Sequence, residues 1–212
     1  FLWDMHYNPV PNVEPQFPMS AEYRNTPPTP TSPWVMPGSY TITLTVNGKS
    51  FTQPLTVKMD PRVKTSVADL QEQFNLSRQL YQLRLQLAPI GKSFDDVTDQ
   101  LLKLKAQAAE QPAVGEKLEA FARSLMQFGP PHPRPGAPPT LFVLESVDRL
   151  FEAIQGADAA PTASVKAAVL DIQTKVGPFI EAWRKSLDRD LPALNQQLKE
   201  AGFPEIKSSS QG

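Results

Sequence analysis

Cysteine is absent from the 212 residues, which excludes disulfides, thiolate metal sites and cysteine nucleophiles. Histidine occurs twice, at His6 and His132, and neither has a histidine or acidic neighbour at metal-ligand spacing. An excess of one charge is missing too. The 21 basic and 22 acidic side chains leave a net charge of −1, which argues against a nucleic-acid partner, since that needs a broad basic surface. No apolar run approaches the ~18 residues of a membrane span. Gly-x-Ser-x-Gly elbows, Walker loops and dinucleotide fingerprints do not occur. The chain starts at Phe1 with no initiator Met and no signal-peptide pattern, and it reads as the tail of a longer protein.

What the chain has in plenty is proline. Eleven of its 23 prolines lie in residues 1–65, and six more fall between Gly129 and Pro139. The first block therefore cannot be helical, and the second reads as a stiff linker or surface loop. The order of an extended part followed by helical patterns points to segregated α+β organisation rather than βαβ winding.

Tyr40 to Val46 alternates apolar and polar residues, Asn47-Gly48 follows, and alternation resumes from Ser50 to Met59. Asn-Gly between alternating runs predicts a hairpin with a two-residue type I′ turn, because both turn positions favour positive φ. The loop length sets Val46 opposite Lys49, Leu44 opposite Phe51, Ile42 opposite Gln53 and Tyr40 opposite Leu55. Tyr40, Ile42, Leu44, Phe51, Leu55 and Val57 are then expected on one buried face, with the threonines outside. Pro54 puts its strand at an edge or a bulge. Phe1 to Tyr7 alternates as well and reads as another strand. A sandwich of about seven strands needs ~100 residues, so the rest of the sheet has to come from another stretch or another chain.

From Ser66 onward the pattern is helical. Ser66 to Asp69 resembles a capping box, and Pro89 and Gly91 are read as the end of the first helix. Ser93 then caps a second helix through Leu104, a third carries Val114 to Leu125, and Thr140 caps a fourth that Gly156 closes. Thr162 opens the longest pattern, with breaks expected at Gly177-Pro178 and Pro192 and a stop at Gly202. Short connections predict an up-and-down bundle of three to five helices. The expected organisation is 1–65 as part of a β-sandwich, 66–207 as the bundle with a loop over 129–139, and 208–212 as a disordered tail.

Carboxylates were weighed because paired acids suffice for glycoside hydrolysis. Asp95, Asp96 and Asp99 fit the first turn of a helix, and Asp190 fits a cap before Pro192, with Asp188 close by. Trp3, Tyr7, Phe17, Tyr23, Trp34 and Tyr40 read as packing anchors in preference to sugar-stacking rings, and Trp183 as bundle core. The sequence assigns no catalytic, cofactor-binding or metal-binding residue, and no cofactor.

The run from Trp34 to Arg62, with Met36-Pro37-Gly38-Ser39-Tyr40, Val46-Asn47-Gly48-Lys49 and Asp60-Pro61-Arg62, resembles the region that follows the β-propeller in large exported bacterial proteins. These are the BNR-repeat "glycosyl hydrolase" or sortilin/VPS10-like proteins. Phe1 to Tyr7, Asp69 to Phe74, Gly156 to Thr162 and Arg189 to Asn195 carry the resemblance along the rest of the chain. It implies a partial immunoglobulin- or fibronectin-like β-sandwich followed by the bundle, in an exported protein. Any hydrolase activity would belong to the propeller, so no catalytic residue carries over. The expected role is non-catalytic scaffolding or protein–protein association, with the propeller or another chain as partner. The alternatives are an accessory region of a propeller glycoside hydrolase, or a subunit of a larger extracellular or membrane-associated assembly completed by strand addition.

Overall fold

The computed structural model describes residues 3–11, 13, 17, 19–22, 26, 29, 31–131 and 141–209. His132, Thr140, Tyr23 and the tail residues 210–212 lie outside the described residues. Among the described residues the architecture is mixed: a two-stranded antiparallel sheet, β1 (Gly38–Val46) and β2 (Lys49–Val57), precedes five α-helices. The helices are α1 (Val67–Gln107), α2 (Pro112–Leu125), α3 (Phe142–Gln155), α4 (Ala163–Lys185) and α5 (Leu191–Glu200).

Side-chain pairings reduce these helices to three rods. Glu72 pairs with Lys166 and Gln79 with Gln173, so α1 and α4 rise together. On α3 the numbers fall as those on α1 rise: Ser77 meets Gln155, Arg84 meets Asp148, and Gly91 faces Leu144. Near the far end of α1, Lys105 pairs with Glu119 of α2. Phe128, just past α2, meets Trp183 edge to face, and the Trp183 ring lies 5.5 Å from that of Phe94. Hence α2 and α3 both descend, in tandem, alongside the single rod α1. The third rod continues from α4 through a π-helical segment (Ser186–Asp190) into α5. The bundle is therefore up–down–up.

The expected break at Pro89-Gly91 does not occur, because α1 runs unbroken for 41 residues. Leu80, Leu87, Phe94 and Leu101 are buried at intervals of seven, so one apolar seam keeps its phase straight through the proline. A second row at the same spacing, Ser77, Arg84, Gly91 and Thr98, is also buried. Gly91 is a point of close approach and not a stop signal, since a Cβ there would stand 3.1 Å from Leu144 Cδ2. Ser93 is likewise no cap: it is buried mid-helix and hydrogen-bonded to Ser208 at 2.6 Å. Pro178 is also accommodated inside α4. Pro89, Pro178 and Pro192 all sit on exposed positions, where the carbonyl left without its N–H partner can meet water. At Pro192 the irregularity takes the form of the π-helical segment instead of a break.

Several local signals act as the sequence predicts. Ser66 Oγ accepts from Asp69 N at 3.1 Å, and Thr162 Oγ1 accepts from Val165 N at 3.3 Å. Asp69 differs from a full capping box in accepting the Ser66 hydroxyl at 2.6 Å. Gly202, at φ 78°, closes α5: Gly202 N donates to Lys199 O and Phe203 N to Leu198 O, the Schellman pattern. The residues that follow do not form a loose tail as far as Ser209. The Asn195 carboxamide both donates to and accepts from the Ile206 backbone, and Gln100 does the same for Lys207. Ile206 and Ser208 are buried.

Candidate functional site

The hairpin forms in the expected register, with Val46 opposite Lys49, Leu44 opposite Phe51 and Tyr40 opposite Leu55. Asn47 and Gly48, at φ 48° and 76°, make the type I′ turn. The burial expected of it holds only at the base. Tyr40, Leu55 and Val57 are half-buried, with Tyr40 Oη donating to Met36 O at 2.5 Å and the Trp3 ring edge-on to Tyr40. Toward the tip the apolar face is uncovered: Ile42, Leu44 and Phe51 are 51%, 59% and 60% exposed. The reason is architectural. Among the described residues the sheet has two strands and no second layer lies on it, so this stretch shows a hairpin and not a sandwich.

The hairpin leaves through a tight exit. Asp60 accepts from Arg62 N at 2.9 Å and pairs with its guanidinium at 2.6 Å, so the Asp60 carboxyl is held below its ordinary pKa by Arg62. Thr65 then donates its hydroxyl to Asp158 O. In the second turn of α1, the Gln73 carboxamide donates to Ile154 O and Ala157 O, both at 2.6 Å, which satisfies carbonyls that the end of α3 leaves free.

Residues 3–10 and 31–37 form a strap on the α1/α3 side. The strand expected over Phe1 to Tyr7 is, within the described residues, a short ladder. Tyr7 N donates to Pro33 O, Val35 N donates to Met5 O, and His6 pairs with Trp34. Val10 enters the bundle core, Tyr81 Oη donates to Asn8 O, and the Gln155 carboxamide accepts from Trp34 N. Arg84, 7% exposed, donates to Thr31 O at 2.6 Å, and its guanidinium lies 4.7 Å from the Phe151 ring centre. Its Nε stands 2.7 Å from Asp148 Oδ1, an ionic contact and not an aligned hydrogen bond. Burial raises the Asp148 carboxyl above its ordinary pKa, and Arg84 offsets only part of that. A pair of this kind fixes position more than it adds stability.

Among the described residues, most of those that could carry chemistry have a structural place. His6 is buried with its ring 3.7 Å from Trp34. Its Nδ1, when it carries the hydrogen, donates to Asp4 O at 3.0 Å, while Nε2 has no partner among the described residues. Burial lowers its pKa, against the opposing pull of Asp4. Asp95, Asp96 and Asp99 stand mid-helix in α1 and not at a first turn, because the helix does not restart there. Burial, then Asp99 and Asp96, raises the Asp95 carboxyl. Asp96 pairs with Lys92 at 3.2 Å. Asp190 caps nothing: it is helical, has no side-chain cap bond, and contacts Arg189 at 2.8 Å. Trp183 is bundle core, as its stripe indicates. Phe17 is exposed, and Tyr7 packs beside Phe74 and Tyr81.

A shallow recess at the foot of the hairpin, lined by Trp34, Met36, Met59, Phe74, Gln155 and Asp158, has a single ionisable wall residue. Among the described residues no three histidine or acidic side chains cluster as metal ligands, and no helix is long and apolar enough to cross a membrane. At the hairpin tip Ile42, Leu44 and Phe51 gather exposed apolar side chains on one face of the sheet, and the tip is the candidate site. No family model, no curated protein and no solved structure matches this chain.

Proposed function

We propose that the chain is a non-catalytic interaction region, in which the bundle holds out a hairpin that docks with a β-sheet partner. The observation that carries the reading is the uncovered apolar tip, Ile42, Leu44 and Phe51, on a hairpin whose base is anchored. A two-stranded sheet is marginal in water by itself, and an apolar face kept in solvent at that cost marks an association surface. On this reading the hairpin is the visible part of an immunoglobulin- or fibronectin-like sandwich. The parent protein is then an exported β-propeller protein of the kind that the segment Trp34 to Arg62 resembles.

The test is direct. Leu44→Lys and Phe51→Lys should leave the thermal melt of the bundle in place and abolish association with the propeller encoded in the same reading frame, measured by calorimetry. Association that survives both substitutions would overturn the reading. So would hydrolysis of a glycan or peptide by the purified chain that is lost on Asp95→Asn or Asp96→Asn.

A further inference from the structure

The two edges of the hairpin are not equivalent. In a hairpin closed by a two-residue turn, the pair flanking the turn exchanges hydrogen bonds and pairs alternate from there. With Val46 opposite Lys49, the residues that turn their N–H and C=O outward are therefore Ser39, Thr41, Thr43 and Thr45 on β1, and Ser50, Thr52, Pro54 and Thr56 on β2. Pro54 thus falls where its missing N–H costs the hairpin nothing and removes a donor from the outer edge of β2. Lys49 and Pro54 blunt β2 in the way natural edge strands are protected. β1 has no such protection: from Gly38 to Val46 it carries no charge, no proline and no bulge. Among the described residues, no hydrogen bond from another element reaches the outward groups of Ser39, Thr41, Thr43 or Thr45.

We propose that the free edge of β1, and not that of β2, takes an added strand from a β-sheet partner whose second layer covers Ile42, Leu44 and Phe51. This rests on the docking role proposed above and names the edge and the chemistry of what docks. The partner strand carries uncharged apolar residues at alternate positions, because on the face beside Ile42 and Leu44 an ionised side chain would lose water under the second layer and find no counter-charge. A second copy joined edge to edge does not meet the need. Pairing β1 with β1 extends the sheet sideways and leaves the apolar face bare.

Thr43 and Thr52 face each other in a pair that exchanges no hydrogen bonds, so proline at either removes an outward donor and no hydrogen bond of the ladder. The probe is a nine-residue synthetic peptide alternating valine and threonine between terminal lysines, added to the intact chain with amide hydrogen exchange as the readout. Expected is saturable slowing, tenfold or more, at Thr41, Thr43 and Thr45. Thr52→Pro should retain it, and Thr43→Pro should lose it. Leu44→Lys, which leaves the backbone intact, should weaken peptide binding tenfold or more and covers the case in which Thr43→Pro fails to form the hairpin. Slowing confined to Ser50, Thr52 and Thr56 and abolished by Thr52→Pro would overturn the choice of edge while leaving hairpin docking standing. No slowing at either edge would overturn the docking role as well. Dimerisation through β1 in sedimentation without peptide would replace the partner with a second copy and overturn the proposal.

Discussion

The strap and the hairpin come from the same proline-rich stretch, yet they meet opposite fates. The strap's few backbone bonds are reinforced from the bundle by Tyr81, Arg84 and Gln155, and Val10 is drawn into the helical core. The hairpin has a complete internal ladder and almost no contact with the bundle beyond its base. Local order and burial are therefore separable here. The segment with the better secondary structure is the one whose apolar face is open.

Identical substitutions in the two settings should separate them most. Phe94→Ala, in the bundle core, should cost about 3–5 kcal/mol by urea denaturation, whereas Phe51→Ala on the hairpin should stay within about 0.5 kcal/mol. A large loss at Phe51 would mean that the face is already covered. Next in size is the strap's anchor. Arg84→Ala strands a half-buried carboxylate and should cost about 2–3 kcal/mol, while Arg84→Met with Asp148→Leu should recover most of it. Exchange at the Tyr7 and Val10 amides should rise in the single variant, with the hairpin amides unchanged. Pro89→Ala should then raise stability by about 1–3 kcal/mol, since it restores a helical hydrogen bond at an exposed site.

The smallest expected effect is that of pH on the strap. His6 resists protonation in the folded state, so the unfolded chain binds its proton first as pH falls below the ordinary value of 6.5. The contribution is fully present above that value and is lost as pH drops toward the lowered folded pKa. Protection of Tyr7 and Val35 amides should fall between pH 7 and pH 5, and His6→Asn should flatten the dependence. An unchanged profile in that variant would place the effect elsewhere.

How far the sequence could be read depended on the range of the interaction. The Asn47-Gly48 turn, the pairing of Leu44 with Phe51, and the caps at Ser66, Thr162 and Gly202 are set within a few residues, and all are present. The continuity of α1 was written in the spacing of Leu80, Leu87, Phe94 and Leu101, but Pro89-Gly91 outweighed it as a local stop signal. The seam wins because each rod buries residues on both sides of the proline. The roles of Ser93 and Ser208 depend on neighbours distant in sequence, which propensity does not register. The hairpin's apolar face was legible, but its exposure was not, because the alternation of Ile42 and Leu44 says which side wants cover and not what supplies it.

The joint between hairpin and bundle has a mechanical consequence. At about 1.5 Å per residue, α1 is a stiff beam of roughly 60 Å, and Thr65 and Gln73 rivet its first turns to the end of α3. Tension on a strand gripped at β1 would pass through the Asp60–Arg62 corner into that riveted end. There the load would be shared between α1 and α3 instead of falling on one helix alone.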